Sequence, residues 1–171
     1  MKTLIIVISL LIAVNMSLAQ KKEIIDDNYK FQISLPADWK ERIHEETKNK
    51  DAISYTFDRK DKKLSMLIIA FKLDAVKDIN DLIYMIEKDI NLNIPSRTGE
   101  YSDIQGEKFK GKIGEYKDMD FTETIYYIGT INTETTENYA YMIRFICDSK
   151  FNNPTVKNDI TSIIESFKIN L

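Results

Sequence analysis

The stretch Leu64-Ser65-Met66-Leu67-Ile68-Ile69-Ala70-Phe71-Lys72-Leu73 is apolar on both parities. A strand that buries one face alternates apolar with polar residues, so a run without alternation reads as a central strand with layers packed on both sides. Ile53-Ser54-Tyr55-Thr56-Phe57, just upstream, alternates strictly, and the charged residues 58–63 between the two runs read as a hairpin connection. Earlier still, Tyr29-Lys30-Phe31-Gln32-Ile33-Ser34-Leu35 alternates until Pro36 stops it. Trp39, three residues on, reads as an apolar anchor folded back under the sheet.

Downstream the period changes. Ile79, Leu82, Ile83, Ile86 and Ile90 fall on one helical stripe. Asp78 is placed as its N-cap, and Asp81 puts negative charge in the first turn, where the helix dipole favours it. Pro95 ends any continuation. Residues 97–116 scatter Gly99, Gly106, Gly111 and Gly114 among single apolar residues, the pattern of short, twisted or bulged strands at a sheet edge.

Phe121–Ile128 and Tyr139–Cys147 are rich in Tyr, Ile, Phe and Thr, and the polar residues 132–137 join them as a long antiparallel hairpin. A turn centred there with an odd register sum puts Phe121, Glu123, Ile125 and Tyr127 on one face with Ala140, Met142, Arg144 and Ile146. Tyr126, Ile128, Tyr141, Ile143 and Phe145 then share the other, and Glu123 and Arg144 become cross-strand or diagonal neighbours. Finally, Asn153-Pro154 supplies an N-cap and a first-turn proline for a helix burying Val156, Ile160, Ile163, Ile164 and Phe167. Strands, one helix, more strands and a closing helix give an α+β fold, with helices packed on a mainly antiparallel, twisted sheet.

The order of elements and two short signatures make the chain resemble the PsbP-like fold family. The matching residues are Phe31-Gln32-Ile33-Ser34-Leu35-Pro36-Ala37-Asp38-Trp39, a strand ending in proline and tryptophan, and Ile163-Ile164-Glu165-Ser166-Phe167-Lys168-Ile169, a last helix ending in a serine and phenylalanine pair. The resemblance implies an α/β/α sandwich spanning residues 20–171 as one domain. Members of that family serve as accessory subunits of photosystem II, partners of a nuclear GTPase, and bacterial chaperones or envelope proteins, so the implied work is mostly that of an adaptor. The quoted signatures are packing residues and speak to fold, not to site. The metal-linked histidines of photosynthetic members have no counterpart in a chain with one histidine, and no functional residue is carried over.

Residues 1–19 read as a cleavable signal: Lys2, an apolar run from Leu4 to Val14, then small residues at Ser17 and Ala19. That run is short of the roughly 20 apolar residues a membrane span needs. No cysteine lies near the cleavage point to carry a lipid, so the expected mature form has no membrane anchor and is periplasmic or extracellular. Cleavage removes one of 24 basic residues and none of the 27 acidic ones, taking the net charge from -3 to -4. Acids and lysines are mixed along the whole chain, which argues against a nucleic-acid partner. Cys147 is the only cysteine, so no internal disulfide forms, and its place at the end of an apolar run reads as a buried, inert thiol.

Catalytic constellations are sparse. His44 is the only histidine available as a base for a nucleophile, and its charged neighbours Glu41, Arg42, Glu45 and Glu46 read as a solvated loop or strand end. One His and one Cys far apart do not make a zinc site. Asp118-Met119-Asp120 lacks the glycine-punctuated loop of a calcium site and reads as a turn. The glycines between Gly99 and Gly114 do not sit between a strand and a helix as a phosphate loop requires. No metal or cofactor is expected.

Two functions remain. One is an exported, non-enzymatic binding or adaptor module acting on a protein or small ligand through a surface patch with exposed tyrosines, the candidates being Tyr126, Tyr127, Tyr139 and Tyr141. The alternative is a secreted hydrolase using carboxylates alone, which requires two convergent acids, one of raised pKa.

Overall fold

The computed structural model describes residues 21–73, 78–89, 92–106, 109–130 and 138–171. The expected signal segment 1–19, Ile90 of the helical stripe and the 132–137 loop lie outside them. The elements are β1 (Lys22–Asp26), β2 (Phe31–Leu35), β3 (Trp39–Glu46), β4 (Ala52–Arg59), β5 (Leu64–Leu73), α1 (Ile79–Tyr84), β6 (Ser102–Gln105), β7 (Phe109–Lys117), β8 (Phe121–Thr130), β9 (Asn138–Asp148), α2 (Pro154–Glu165) and β10 (Lys168–Ile169).

β5 is central, as its double-sided apolar pattern requires. Seven strands pair antiparallel in the order β3-β4-β5-β9-β8-β7-β6, and a small sheet is ordered β1-β2-β10. Met66, Ile68 and Ala70 of β5 face a core built with the small sheet and α2, where Phe31, Ile33, Leu35, Val156, Ile160 and Ile163 are buried. Ile69 and Phe71, on the opposite parity, pack with Leu82, Ile83 and Ile86. The result is a large sheet covered on both faces, a mainly antiparallel α+β sandwich.

Local chemistry sets the element ends. Asp78 caps α1, its side chain accepting from the backbone N–H groups of Asn80 at 2.6 Å and Asp81 at 3.0 Å. After Tyr84 the helix widens into a π-helical turn, Met85–Asp89. Asn153 caps α2 in the same way, accepting from Thr155 and Val156, with Pro154 in the first turn where no amide hydrogen is needed. In the glycine-bearing edge, a Cβ at Gly111 would collide with the carbonyl oxygen of Tyr127, so glycine lets β7 close against β8.

The hairpin register is the one its sequence implies. Glu123 stands opposite Ile146, Ile125 opposite Arg144, Tyr127 opposite Met142 and Tyr126 opposite Ile143.

Three elements differ from the sequence reading. The strand expected from Tyr29 starts at Phe31, because Lys30, at φ 57°, closes a tight turn from β1. Trp39 is buried as expected, but it opens a strand, β3, whose remaining residues are all exposed. The closing helix stops at Glu165. Ser166 Oγ then accepts from the Ser34 N–H at 3.0 Å, and Phe167 stacks on Phe31 with ring centroids 6.1 Å apart, so Lys168–Ile169 turn back as a strand against β2. The serine and phenylalanine pair is therefore a weld between α2 and the small sheet.

Candidate functional site

The four tyrosines expected to line a surface patch are buried: Tyr126 is 8% exposed, Tyr139 4%, and Tyr127 and Tyr141 0%. Layers cover both faces of the sheet at these positions, so tyrosines of either parity are buried. The Tyr141 hydroxyl donates to the Tyr29 carbonyl at 2.8 Å, and its ring packs edge-on to Phe167. Tyr126 meets Phe145 edge-on, and burial, aided by Glu115, pushes its hydroxyl up to about 12. Tyr139 sits in the same core. Tyr127 lies in the other, where its hydroxyl reaches Glu87.

Glu87 projects from the π-helical turn into a tyrosine cluster. Its Oε1 accepts from Tyr101 at 2.8 Å, Tyr116 at 2.5 Å and Tyr127 at 2.9 Å, while Tyr116 also lies 3.0 Å from Tyr127 and 3.3 Å from Tyr101. Three hydroxyl protons serve these five contacts, so the protons are shared. Burial is the first cause that raises all three phenols, and Glu87 adds to it. Next to this cluster Arg144 holds Glu123 and donates to the Leu92 carbonyl at 2.8 Å. Both groups fasten α1 and the chain after it to the sheet.

A more open place lies where the small sheet meets β3 and β4. A hollow of about 520 Å³ is lined by Ile25, Asp26, Asp27, Asn28, His44, Glu46, Ile53 and Tyr55. His44 stacks on Tyr55 with centroids 4.3 Å apart and planes 21° from parallel. Asp26 Oδ1 accepts from the N–H groups of Asn28 and Tyr29, both at 3.0 Å, and Oδ2 accepts from the Tyr55 hydroxyl at 2.7 Å. Tyr29 donates to Glu46 at 3.2 Å. Burial first, then these carboxylates, raise the Tyr29 and Tyr55 phenols well above their ordinary range. Ile25, 54% exposed, stands on the rim. The sequence implies a solvated loop or strand end for His44; it is exposed in the second half of β3 and stacked on Tyr55, while Asp26 and its strand were not anticipated. The turn residues Asp27 and Asn28 between Ile24-Ile25 and the next alternating run were the available hairpin signal.

Chemically the hollow combines an aromatic wall, an apolar rim and carboxylates. Asp26 and Glu123 are the buried carboxylates among the described residues, and each has both oxygens engaged. Burial raises Glu115 above the usual carboxylate range, against the opposing Thr124 hydrogen bond, but it does not line this hollow. Among the described residues no group of three or more His, Cys, Asp or Glu side chains is placed to hold a metal ion. Asp118 forms the expected turn, accepting from the N–H groups of Asp120 and Phe121.

No family model and no curated protein matches this sequence. Solved structures do. Cyanobacterial PsbP from Synechocystis superposes with a TM-score of 0.55 at 13% identity, over 91% of this chain and 95% of that one. The chain has the PsbP-like fold. Other proteins similar to this PsbP-like chain include the Ran-binding protein Mog1p of Saccharomyces cerevisiae (TM-score 0.51, 11% identity, 88% of this chain and 96% of that one). LpqN of Mycobacterium tuberculosis, which is involved in cell envelope biogenesis, has a TM-score of 0.53 at 13% identity over 89% and 91%. A Bacteroides thetaiotaomicron protein (TM-score 0.53, 17% identity over 89% of this chain) is about twice as long, and the PsbP-like chain spans 49% of it. No helix among the described residues is long and apolar enough to cross a membrane.

Proposed function

We propose that this chain is an exported, non-enzymatic binding domain that engages a protein or small ligand through the hollow between β1, β3 and β4. The observation that carries the reading is the coexistence, in one concave place, of an exposed Ile25, the His44–Tyr55 stack and an acidic lining in which Asp26 has both oxygens held by internal hydrogen bonds while Asp27 and the second oxygen of Glu46 are left open to a ligand. Asp26, the one buried carboxylate of the hollow, has no oxygen left to pass a proton to a substrate, as a general acid or base requires. The lining carries Asp26, Asp27 and Glu46 with no lysine or arginine, which favours a ligand group that is cationic or rich in N–H donors and has an apolar neighbour for Ile25. Export rests on the signal pattern of residues 1–19, and the likeness to LpqN of the cell envelope supports it. The likeness to Mog1p supports binding as the mode of action.

A photo-crosslinking residue at position 25 in protein produced in its own host is the test. One partner or ligand should be enriched at position 25 and not at position 119, where Met119 is 95% exposed on a distant turn. Equal labelling from both positions would remove the hollow as the site.

A further inference from the structure

β3 is the edge of the large sheet: among the described residues it pairs only with β4, and seven of its eight residues are exposed. Thr47, next after it, donates its N–H to the Ala52 carbonyl. Alternation in an antiparallel ladder then turns the N–H and C=O groups of His44 and Glu46 away from β4, toward solvent. The register shift between Glu41 and Ile43 bulges the strand at Arg42. An exposed edge of this length is a template for another strand unless charge forbids it.

The charge on β3 is segregated. Lys40 and Arg42 flank Glu41 in the first half, a net positive end, and Glu45 and Glu46 make the second half negative. The surroundings extend the pattern. A hollow of about 300 Å³ beside the first half adds Lys60 and Lys62, and its acids Glu41 and Asp58 are already paired with Lys22 at 3.4 Å and Arg42 at 3.6 Å. Beside the second half stand Asp26 and Asp27. Lys48 and Lys50 belong to the turn beyond the strand.

We infer that two copies of this chain associate through β3, antiparallel and about a two-fold axis. A strand positive at one end and negative at the other repels a parallel copy and complements an antiparallel one. Centred on His44, whose backbone groups face outward, the pairing sets Arg42 opposite Glu46 of the second copy and Ile43 opposite Glu45. The large sheet then runs continuously across the axis. Both β3 edges are consumed and the interface closes on itself, so the product is a dimer and not a fibre. The contact is small and mostly charged, so it forms at roughly 10–100 µM and weakens with salt.

Sedimentation of the purified protein across that concentration range tests the inference. The weight-average mass should rise toward that of a dimer at low salt. The charge-reversed variants K40E/R42E and E45K/E46K, shown folded by circular dichroism, should each stay monomeric, and an equimolar mixture of the two should dimerise again. In the unmodified protein, amide exchange at His44 and Glu46 should slow as concentration rises, which needs no variant to fold. A protein monomeric throughout, a variant that dimerises alone as the parent does, or a mixture that stays monomeric would overturn the inference.

Discussion

Arg144 of β9 lies diagonally across the hairpin from Glu123 of β8, and its Nε and Nη2 hold the two carboxylate oxygens at 2.7 Å each. Both side chains are buried, 8% and 5% exposed. Removing one partner strands the other charge in the core, so Glu123→Leu should cost about 3–5 kcal/mol by urea unfolding. The double variant Glu123→Leu/Arg144→Met should cost much less than the single, because no charge is left uncompensated. A double variant as unstable as the single would show that Arg144 acts chiefly through the carbonyls of Leu92 and Asn93.

Glu87 is the common acceptor for three phenols, and Glu87→Ala leaves those hydroxyls beside one another with no charged oxygen. A loss of about 1–3 kcal/mol is expected. Tyr127→Phe should cost less, since Tyr101 and Tyr116 still satisfy the carboxylate. Urea midpoints of the two variants check the order.

Most of the layered fold was legible because burial on both faces leaves a direct mark on composition. The unbroken run 64–73 and the odd register of the 121–148 hairpin follow from which side chains face the cores, and the Asp78 and Asn153 caps from local hydrogen bonds to the first helical N–H groups. β1 and β3 were not legible for the complementary reason. β3 buries only Trp39, and β1 only Ile24 and Asp26, so their sequences Trp-Lys-Glu-Arg-Ile-His-Glu-Glu and Lys-Glu-Ile-Ile-Asp carry the polarity of loops. Of the candidate hollow, only the β4 wall of Ile53 and Tyr55 was legible; the rest is built from β1, the turn after it and β3. The tyrosines of the hairpin misled because alternation shows that a strand has two faces and not which of them is solvated; α1 on one side and α2 with the small sheet on the other cover both.

Alkaline pH should unfold this protein through its tyrosines. Tyr29, Tyr55, Tyr116, Tyr126, Tyr127 and Tyr141 all have phenols raised by burial, Tyr126 to about 12. A neutral phenol favoured by the folded state contributes its full stability below the ordinary value near 10 and loses it as pH rises toward the folded value. Absorbance of phenolate against pH should therefore show the buried set ionising only above the ordinary phenol value near 10, together with loss of structure.

Cys147 is 3% exposed, and burial is the main cause that raises its thiol above the ordinary range. Alkylation of the native protein should be slow and should speed up sharply at the denaturant concentration that unfolds the chain. Rapid native labelling would mean the β5–β9 end of the sheet opens locally.

The binding account is tested most directly by titrating the partner captured at position 25 against the parent protein, Ile25→Asp and Met119→Asp. The account predicts that Ile25→Asp weakens binding by about tenfold or more, that Met119→Asp leaves it unchanged, and that all three proteins keep the same thermal unfolding midpoint. Equal affinity for all three, or turnover of a glycan or ester by the parent that is abolished by replacing an acid, would contradict it.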